Sequence, residues 1–173
     1  MLQAADYHWP ALGYGVENAW LGNTLIQALY RQGRVEVRSP AKVQGASASE
    51  GGVSLRLEGA GDSTLQAGLL LVADGANSGL REELGVAVEE KSYLQHALIA
   101  NIATAQPHRG CAYERFTDEG PLALLPLLPG PGGEHRSALV WTLPPEQATR
   151  LQACSEQAFL QRLQERFGYR LGR

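Results

Sequence analysis

The sequence predicts an α+β fold, a mixed α/β arrangement in which a mostly antiparallel sheet packs against helices. Three observations lead to this class. Four strand-length apolar segments with short connections follow one another between residues 94 and 143. A continuously apolar run at 68–73 ends in Asp74-Gly75 and leads directly into a short helical pattern. Longer helical patterns follow Asn18 and mark the end of the chain, so helices flank the strands rather than alternate with them.

The first half of the chain predicts one helix and a hairpin. Leucine and isoleucine recur at helical spacing after Asn18, which is a good N-cap, and Gly33 suits the position that follows a helix. Alternating residues at 35–38 predict a strand. The same alternation at 53–57, after a turn rich in glycine and serine, predicts a hairpin with 42–48.

The second half begins with the run at 68–73, whose unbroken hydrophobicity predicts a strand covered on both faces. Ser78 can cap a short helix that Gly85 closes. A proline pair at 144–145 opens a further helix, and Ser155 caps the last one, which has an apolar face. The predicted strands between these helices lie at 94–103, 112–116, 122–127 and 137–143. Turns are predicted at the small-residue stretches 45–52, 59–63 and 130–133.

Composition and charge exclude several classes of function. The chain has 173 residues, of which 44% are hydrophobic and 19% charged, and its formal net charge is −3. This balance gives no electrostatic reason to expect a nucleic-acid partner. No segment approaches the roughly 18 consecutive apolar residues of a membrane-spanning helix. Cys111 and Cys154 lie far apart, which predicts reduced thiols in a cytoplasmic protein, and the histidines lack metal-ligand spacing, so we expect no metal site.

The most informative local feature is the turn after the predicted buried strand. Ligands of open α/β sheets bind at the carboxyl ends of strands, where Asp74 and Gly75 are expected to lie. Gly75 permits a tight turn, Asp74 can accept hydrogen bonds from hydroxyl groups, and the N–H groups from Ser78 onward can receive an anion. An ordinary strand–turn–helix with a capping serine, and with Arg81 as a solvated helix residue, would produce the same pattern.

The segment at residues 73–78 reads Ala-Asp-Gly-Ala-Asn-Ser, and Arg81 follows three residues later. This segment resembles the DG motif of flavoprotein aromatic hydroxylases of the para-hydroxybenzoate hydroxylase type. The resemblance covers nearly the whole chain and is to the ubiquinone-biosynthesis branch of that family. The other segments that carry it are 12–18, 100–104, 114–117, 120–126, 139–141 and 167–172. The DG motif and the strand segments are fairly specific in combination.

The resemblance implies an FAD-dependent monooxygenase that uses NAD(P)H and O2 to hydroxylate a polyprenyl phenol. It assigns no catalytic residue, because the cofactor carries the chemistry. Residues 1–90 would be part of an FAD-binding α/β region with the DG motif, and 91–173 would be the substrate-binding sheet and helices. The cofactor-binding residues that it implies are Asp74, Gly75, Ser78, Arg81 and Asn18. For Asn18 the alternative is a role in helix capping alone.

The resemblance also has implications for the substrate-binding residues and for where in the cell the protein acts. Residues of the substrate pocket would come from the sheet face around Ile99, Asn101 and Leu124, but the imperfect alternation of the strands leaves the facing open. A lipid-tailed substrate implies a cytoplasmic protein that meets the inner membrane, or a multi-enzyme assembly, peripherally. The resemblance leaves the oligomeric state undetermined.

The sequence departs from the family pattern in two places. It has neither the GxGxxG fingerprint, which holds the ADP half of FAD, nor the Gly-Asp motif near the C-terminal end of the flavin site. We therefore expect the chain to match the middle of such an enzyme, to be incomplete for catalysis and not to retain FAD. Two alternatives stay open: a related FAD-dependent oxidoreductase acting on another phenol or prenyl substrate, and a non-catalytic binding or assembly module.

Overall fold

A computed structural model describes residues 2–58 and 63–172. The chain forms two compact units. One is Leu25–Lys91, and the other combines the residues up to Thr24 with those from Ser92 onward. Of the predicted turn at 59–63, residues 59–62 lie outside the described residues. The assignment of 1–90 to flavin binding and 91–173 to substrate binding stays a prediction.

The Leu25–Lys91 unit contains a three-stranded antiparallel sheet and a short helix. The strands, in the order β1-β2-β3, are β1 (Lys42–Ser49), β2 (Gly52–Glu58) and β3 (Ser63–Ala67). The predicted hairpin of β1 and β2 is confirmed, with Ala48 paired to Val53. The sequence analysis missed β3, because five residues give too short an alternation to recognise. Helix α2 (Gly79–Glu83) packs against β1.

Two strands predicted in this unit are wrong. Residues 35–38 form no strand, and 68–73, predicted as a buried strand, are irregular and pair with none of the described strands. A strand is stabilised by hydrogen bonds and side-chain contacts with its neighbours, and neither segment joins a sheet of the described residues. Leu69 and Leu71 are consequently 74% and 80% exposed. In the first segment, the side chains of Glu36 and Arg38 instead pair with each other.

Helix α1 (Asn18–Gln32) is confirmed, and Gly33 after it has the left-handed φ of 63° typical of that position. The prediction that Asn18 is the N-cap is wrong. The carbonyl of Glu17 accepts hydrogen bonds from the N–H groups of Trp20 and Leu21. Glu17 therefore occupies the cap position, and Asn18 is the first helical residue. No residue of α1 is buried, so its apolar stripe faces outward.

The other unit is built on a four-stranded antiparallel sheet in the order β4-β7-β6-β5. All four strands were predicted, with ends that differ by at most two residues. They are β4 (His96–Thr104), β5 (Tyr113–Thr117), β6 (Gly120–Pro126) and β7 (His135–Leu143). The predicted helices follow: α3 (Pro145–Gln152) opens at the proline pair, and α4 (Glu156–Phe167) is capped by the Ser155 hydroxyl. A 3₁₀ turn at Ala4–Tyr7 lies near the start of the chain.

Side chains alternate along these strands, which gives the sheet two different faces. On β7, Ser137, Leu139, Trp141 and Leu143 are fully buried, whereas the residues between them are half-buried. Along β4 the same alternation leaves Ile99 67% exposed. Helices α3 and α4 cover the buried face. The core cluster there consists of Leu122, Leu124, Leu139, Trp141, Leu143, Ala148, Leu163, Phe167 and Leu171.

The tight β5–β6 turn depends on Gly120. Its φ is 138°, and a Cβ atom added there would collide with the carbonyl oxygen of Thr142 on β7. The hydroxyl of Thr117 donates to the Gly120 carbonyl at 2.7 Å and closes the turn. Glycine is thus required for β6 to begin this close to β7.

The helices and antiparallel sheets confirm the predicted α+β class. Across the ranges that the structure describes, no helix has the length and hydrophobicity needed to cross a membrane.

The facing of the sheet can be tested by truncating one side chain on each face. Leu139 is fully buried, so Leu139→Ala should lower the free energy of unfolding by about 2–5 kcal/mol through lost burial and a cavity. Ile99→Ala, on the exposed side of the sheet, should change it by less than about 1 kcal/mol. Urea unfolding of both variants measures the difference. Equal losses would contradict the assigned facing.

Candidate functional site

The side of the β4–β7 sheet that faces away from the core is a mainly apolar surface, which we call the open face. Its register forms rows across the strands. Ile99 lies beside Val140, which lies beside Ala123, and the next row begins at Asn101. The open face is defined by the side chains of Ile99, Asn101, Ala123, Leu125, Ala138 and Val140. Most of these are small or aliphatic, so the surface can receive a flat apolar group.

One polar network borders the open face. The guanidinium of Arg136 donates to the two carboxylate oxygens of Glu17 at 3.3 and 3.0 Å. The Asn101 side-chain Nδ2 donates to Glu17 Oε1 at 2.9 Å, and Arg136 Nε donates to the Leu128 carbonyl at 3.2 Å. The Arg136 and Glu17 side chains are only 21% and 25% exposed. A bidentate pair with this shielding is stronger than an ordinary surface ion pair.

The sequence analysis missed Glu17 and Arg136 as site residues. They are 119 positions apart, and no short motif links them. The only local signal is a charged residue directly before a predicted helix, and such residues are common. Their partnership becomes visible only once the fold places the residue before α1 against strand β7.

The suggested substrate residues divide between the two faces. Ile99 and Asn101 both lie on the open face. Leu124 does not: it is 2% exposed and belongs to the core under the helices. The reason is register, because Leu124 pairs with buried Leu139 and therefore points to the same side of the sheet.

The DG turn has a defined geometry in the Leu25–Lys91 unit. Gly75 has a φ of 99°, which L side chains rarely adopt, and an added Cβ there would meet no heavy atom within 4 Å. Asp74 is exposed beside it. Ser78 is 5% exposed, and its hydroxyl accepts from the Arg81 N–H at 3.1 Å. The Arg81 guanidinium donates back to the Ala76 carbonyl at 2.7 Å.

Within this turn, Ser78 caps α2 as the capping alternative expected, whereas Arg81 holds the Ala76 carbonyl instead of being a solvated helix residue. Asp74 and the open side of Gly75 remain accessible. Asn18 is exposed at the start of α1 and belongs to the other unit. The role of all five residues in cofactor binding stays a prediction.

Two groups with shifted pKa values lie away from the open face. A hydrogen bond to Glu119 raises the pKa of Arg166, which ties helix α4 to the β5–β6 turn. Burial raises the pKa of the Tyr113 hydroxyl, and a hydrogen bond with Cys111 adds to the effect. Both shifts follow from packing of the sheet against α4, so we assign them to the fold rather than to catalysis.

A concave feature, the β4 groove, lies at the β4 edge of the sheet, where Ile99 of the open face also lines it. It is open, has a volume of about 530 Å³, and lies between β4 and helices α3 and α4. Phe159 and Leu151 provide apolar lining, and the Cys154 thiol donates to the Leu151 carbonyl at 3.0 Å. Among residues 2–58 and 63–172, no cluster of His, Cys, Asp or Glu is arranged to hold a metal ion.

Comparison with known proteins gives the site a context. Residues 12–172 match the protein family described as FAD binding domain. The chain is 35% identical over 161 residues to "Ubiquinone hydroxylase UbiL" of Rhodospirillum rubrum, covering 93% of this chain and 36% of that protein. It is 30% identical over 172 residues to "3-demethoxyubiquinol 3-hydroxylase" of Escherichia coli, covering 99% of this chain and 42% of that protein.

A third relative comes from an animal. The chain is 35% identical over 153 residues to "Ubiquinone biosynthesis monooxygenase COQ6, mitochondrial" of Caenorhabditis elegans, covering 86% of this chain and 32% of that protein. The chain thus spans about a third to two fifths of the length of these relatives.

The capping role of Ser78 can be separated from any contact with a ligand. Ser78→Ala removes the side-chain acceptor for the Arg81 N–H and should destabilise the DG turn by roughly 0.5–2 kcal/mol, whereas Ser78→Asp keeps an acceptor and should retain most of the stability. Hydrogen exchange of the α2 amides measures this local stability. Equal protection in the wild type and Ser78→Ala would show that the cap does not hold the turn.

Proposed function

This chain belongs to the family of FAD binding domains, and on that premise we propose that it is part of a monooxygenase that uses FAD, NAD(P)H and O2 to hydroxylate a polyprenyl phenol. The match of nearly the whole chain to that family carries the proposal. The relatives' names direct it to hydroxylation in ubiquinone biosynthesis. Only one of those names states a ring position, so the proposal concerns the class of substrate.

The residues of the DG turn fit a bound flavin nucleotide. Space is open on the Cα side of Gly75, so a ligand can approach the backbone there without meeting a side chain. The exposed Asp74 carboxylate is an acceptor suited to nucleotide hydroxyl groups. Ser78 and Arg81 keep the turn in this conformation through their hydrogen bonds.

Bound FAD would supply the redox chemistry, in which two electrons from NAD(P)H reduce O2 so that one oxygen atom enters the ring and the other leaves as water. The protein's own contribution is binding and orientation. Asp74 and the Gly75 backbone would contact the nucleotides, and the open face would receive the aromatic ring. We further propose a cytoplasmic protein that meets the inner membrane peripherally, where a polyprenyl tail resides.

Asp74 can be tested in the natural gene product that carries this sequence. Asp74→Asn removes a charged acceptor, which is worth about 1.5–3 kcal/mol when it binds a hydroxyl, so flavin reduction by NAD(P)H should slow by roughly ten- to a hundredfold. Asp6→Asn, an exposed aspartate in the N-terminal 3₁₀ turn, is the matched control. Stopped-flow absorbance at the flavin band measures the rate. Unchanged reduction in Asp74→Asn would remove this residue from the site.

The reaction class is tested by the balance of products. With a prenyl phenol, the gene product loaded with FAD should consume NAD(P)H and O2 in equal amounts and place an isotope-labelled oxygen atom from O2 in the ring, as mass spectrometry would detect. NAD(P)H consumption without O2, accompanied by a reduced prenyl group, would identify a reductase instead. Failure to bind FAD would favour a non-catalytic binding module.

A further inference from the structure

We infer that the Asn101 side chain is the hydrogen-bond acceptor for the phenolic hydroxyl of a substrate lying on the open face, and that Glu17 and Arg136 are positioning residues that orient it. The inference rests on the proposed function, because the hydroxylase reaction supplies the phenol. It adds a binding site, the atoms that recognise the ligand, and a basis for discriminating between ligands.

The orientation of the Asn101 amide follows from its partner. Glu17 Oε1 lies 2.9 Å from Nδ2, and an ionised carboxylate only accepts hydrogen bonds. The nitrogen must therefore face Glu17, and the carbonyl oxygen Oδ1 faces the other way. Arg136 holds the carboxylate with two further hydrogen bonds, so the amide is fixed before any ligand arrives. Asn101 itself is exposed, which leaves Oδ1 accessible to a ligand on the open face.

The same contact makes Oδ1 a better acceptor. Donation from an amide N–H to a carboxylate polarises the amide and increases the negative partial charge on its oxygen. A phenol O–H is a strong neutral donor, so the charge distribution at Asn101 complements this group. A phenol ether with the same ring has no such donor.

The residues around Asn101 suit an aromatic ring. Ala138 is its cross-strand neighbour on β7, and the adjacent row holds Ile99 and Val140. These side chains provide apolar contact, and Ala138 is small. A ring can therefore lie flat on the strands with its hydroxyl at Oδ1, and burial of the ring contributes binding energy.

The network also selects against charged ligands. The charge of the Arg136 guanidinium is balanced by the Glu17 carboxylate, and its Nε donates to the Leu128 carbonyl, so the ion pair offers no net positive charge to an aromatic carboxylate. An unpaired carboxylate on this apolar surface loses hydration without compensation. We therefore expect the site to prefer a neutral phenol to a hydroxybenzoate.

The test compares 2-prenylphenol with its methyl ether, by NMR titration of the same gene product without turnover. The wild type should bind the phenol about tenfold more tightly than the ether, since one hydrogen bond separates them. Asn101→Ala should weaken phenol binding about tenfold and leave ether binding unchanged, which also shows that the open face is intact. Gln161→Ala removes an exposed amide on α4 and should alter neither affinity.

Glu17→Gln gives a second readout that a merely structural role would not produce. Glutamine can still accept from Asn101 but leaves the Arg136 charge unpaired. Affinity for 4-hydroxybenzoate should then rise about tenfold while the phenol is affected less. A phenol-to-ether ratio that is unchanged in Asn101→Ala, or no gain of 4-hydroxybenzoate binding in Glu17→Gln, would overturn the inference.

The outcomes separate this inference from the proposed function. If the protein hydroxylates a prenyl phenol but the ratio of phenol affinity to ether affinity does not depend on Asn101, the proposed binding site is wrong and the proposed reaction is supported. An Asn101-dependent ratio without flavin-dependent hydroxylation would support the site and overturn the reaction.

Discussion

The ion pair between Glu17 and Arg136 is the contact on which the candidate site depends. It joins the residue that caps helix α1 to strand β7, across 119 positions of sequence. Its effect is to fix the chain at the start of α1 against the sheet and, at the same time, to orient Asn101 on β4. Glu17 thus occupies the helix-cap position with its backbone carbonyl, while its shielded carboxylate is both the ion-pair partner of Arg136 and the acceptor for the Asn101 amide, which leaves the side chain little freedom to move.

One face of the sheet stabilises the fold, and the other is the proposed ligand-binding surface. Large side chains of β6 and β7 pack against α3 and α4 and supply the core, with Trp141 and Leu139 fully buried. The alternate residues are smaller and support an exposed apolar surface with one polar border. Because successive side chains of a strand point to opposite faces of the sheet, each residue belongs to one face only. A position whose side chain is in the core therefore cannot contact a ligand on the other face. Ile99 and Asn101 lie on the face away from the core, whereas Leu124 lies in the core.

Much of the fold could be predicted from the sequence because its signals are local. Helix α4 carries its cap at Ser155 and its apolar face within a few residues, and the β4–β7 strands have clear bounds. The strands predicted at 35–38 and 68–73 failed for the opposite reason. Their apolar patterns describe a segment suited to a sheet, but a strand forms only where a neighbour pairs with it, and none of the described strands does.

The residues of the candidate site likewise differ in how far they could be predicted from the sequence. The DG turn was identified because Asp74, Gly75 and Ser78 lie together in the chain, and the Ser78 cap formed as its local pattern indicated. The network around Asn101 could not be found this way, because its members come from three separate segments, two strands and the residue before α1, that meet only in the folded chain. Residue type alone also could not show that Asn18 follows the cap instead of forming it, since the Glu17 backbone takes that position.

The most direct test of the claim that ligands bind the open face is a map of where a phenol contacts the protein. Amide chemical shifts of the nitrogen-labelled gene product, followed during titration with 2-prenylphenol, provide that map. We predict that the largest shifts fall on Asn101, Ala138 and Val140. Ile99 also lines the β4 groove and therefore does not discriminate between the two surfaces. Shifts concentrated in the β4 groove around Phe159 and Cys154, with the open face unaffected, would contradict it.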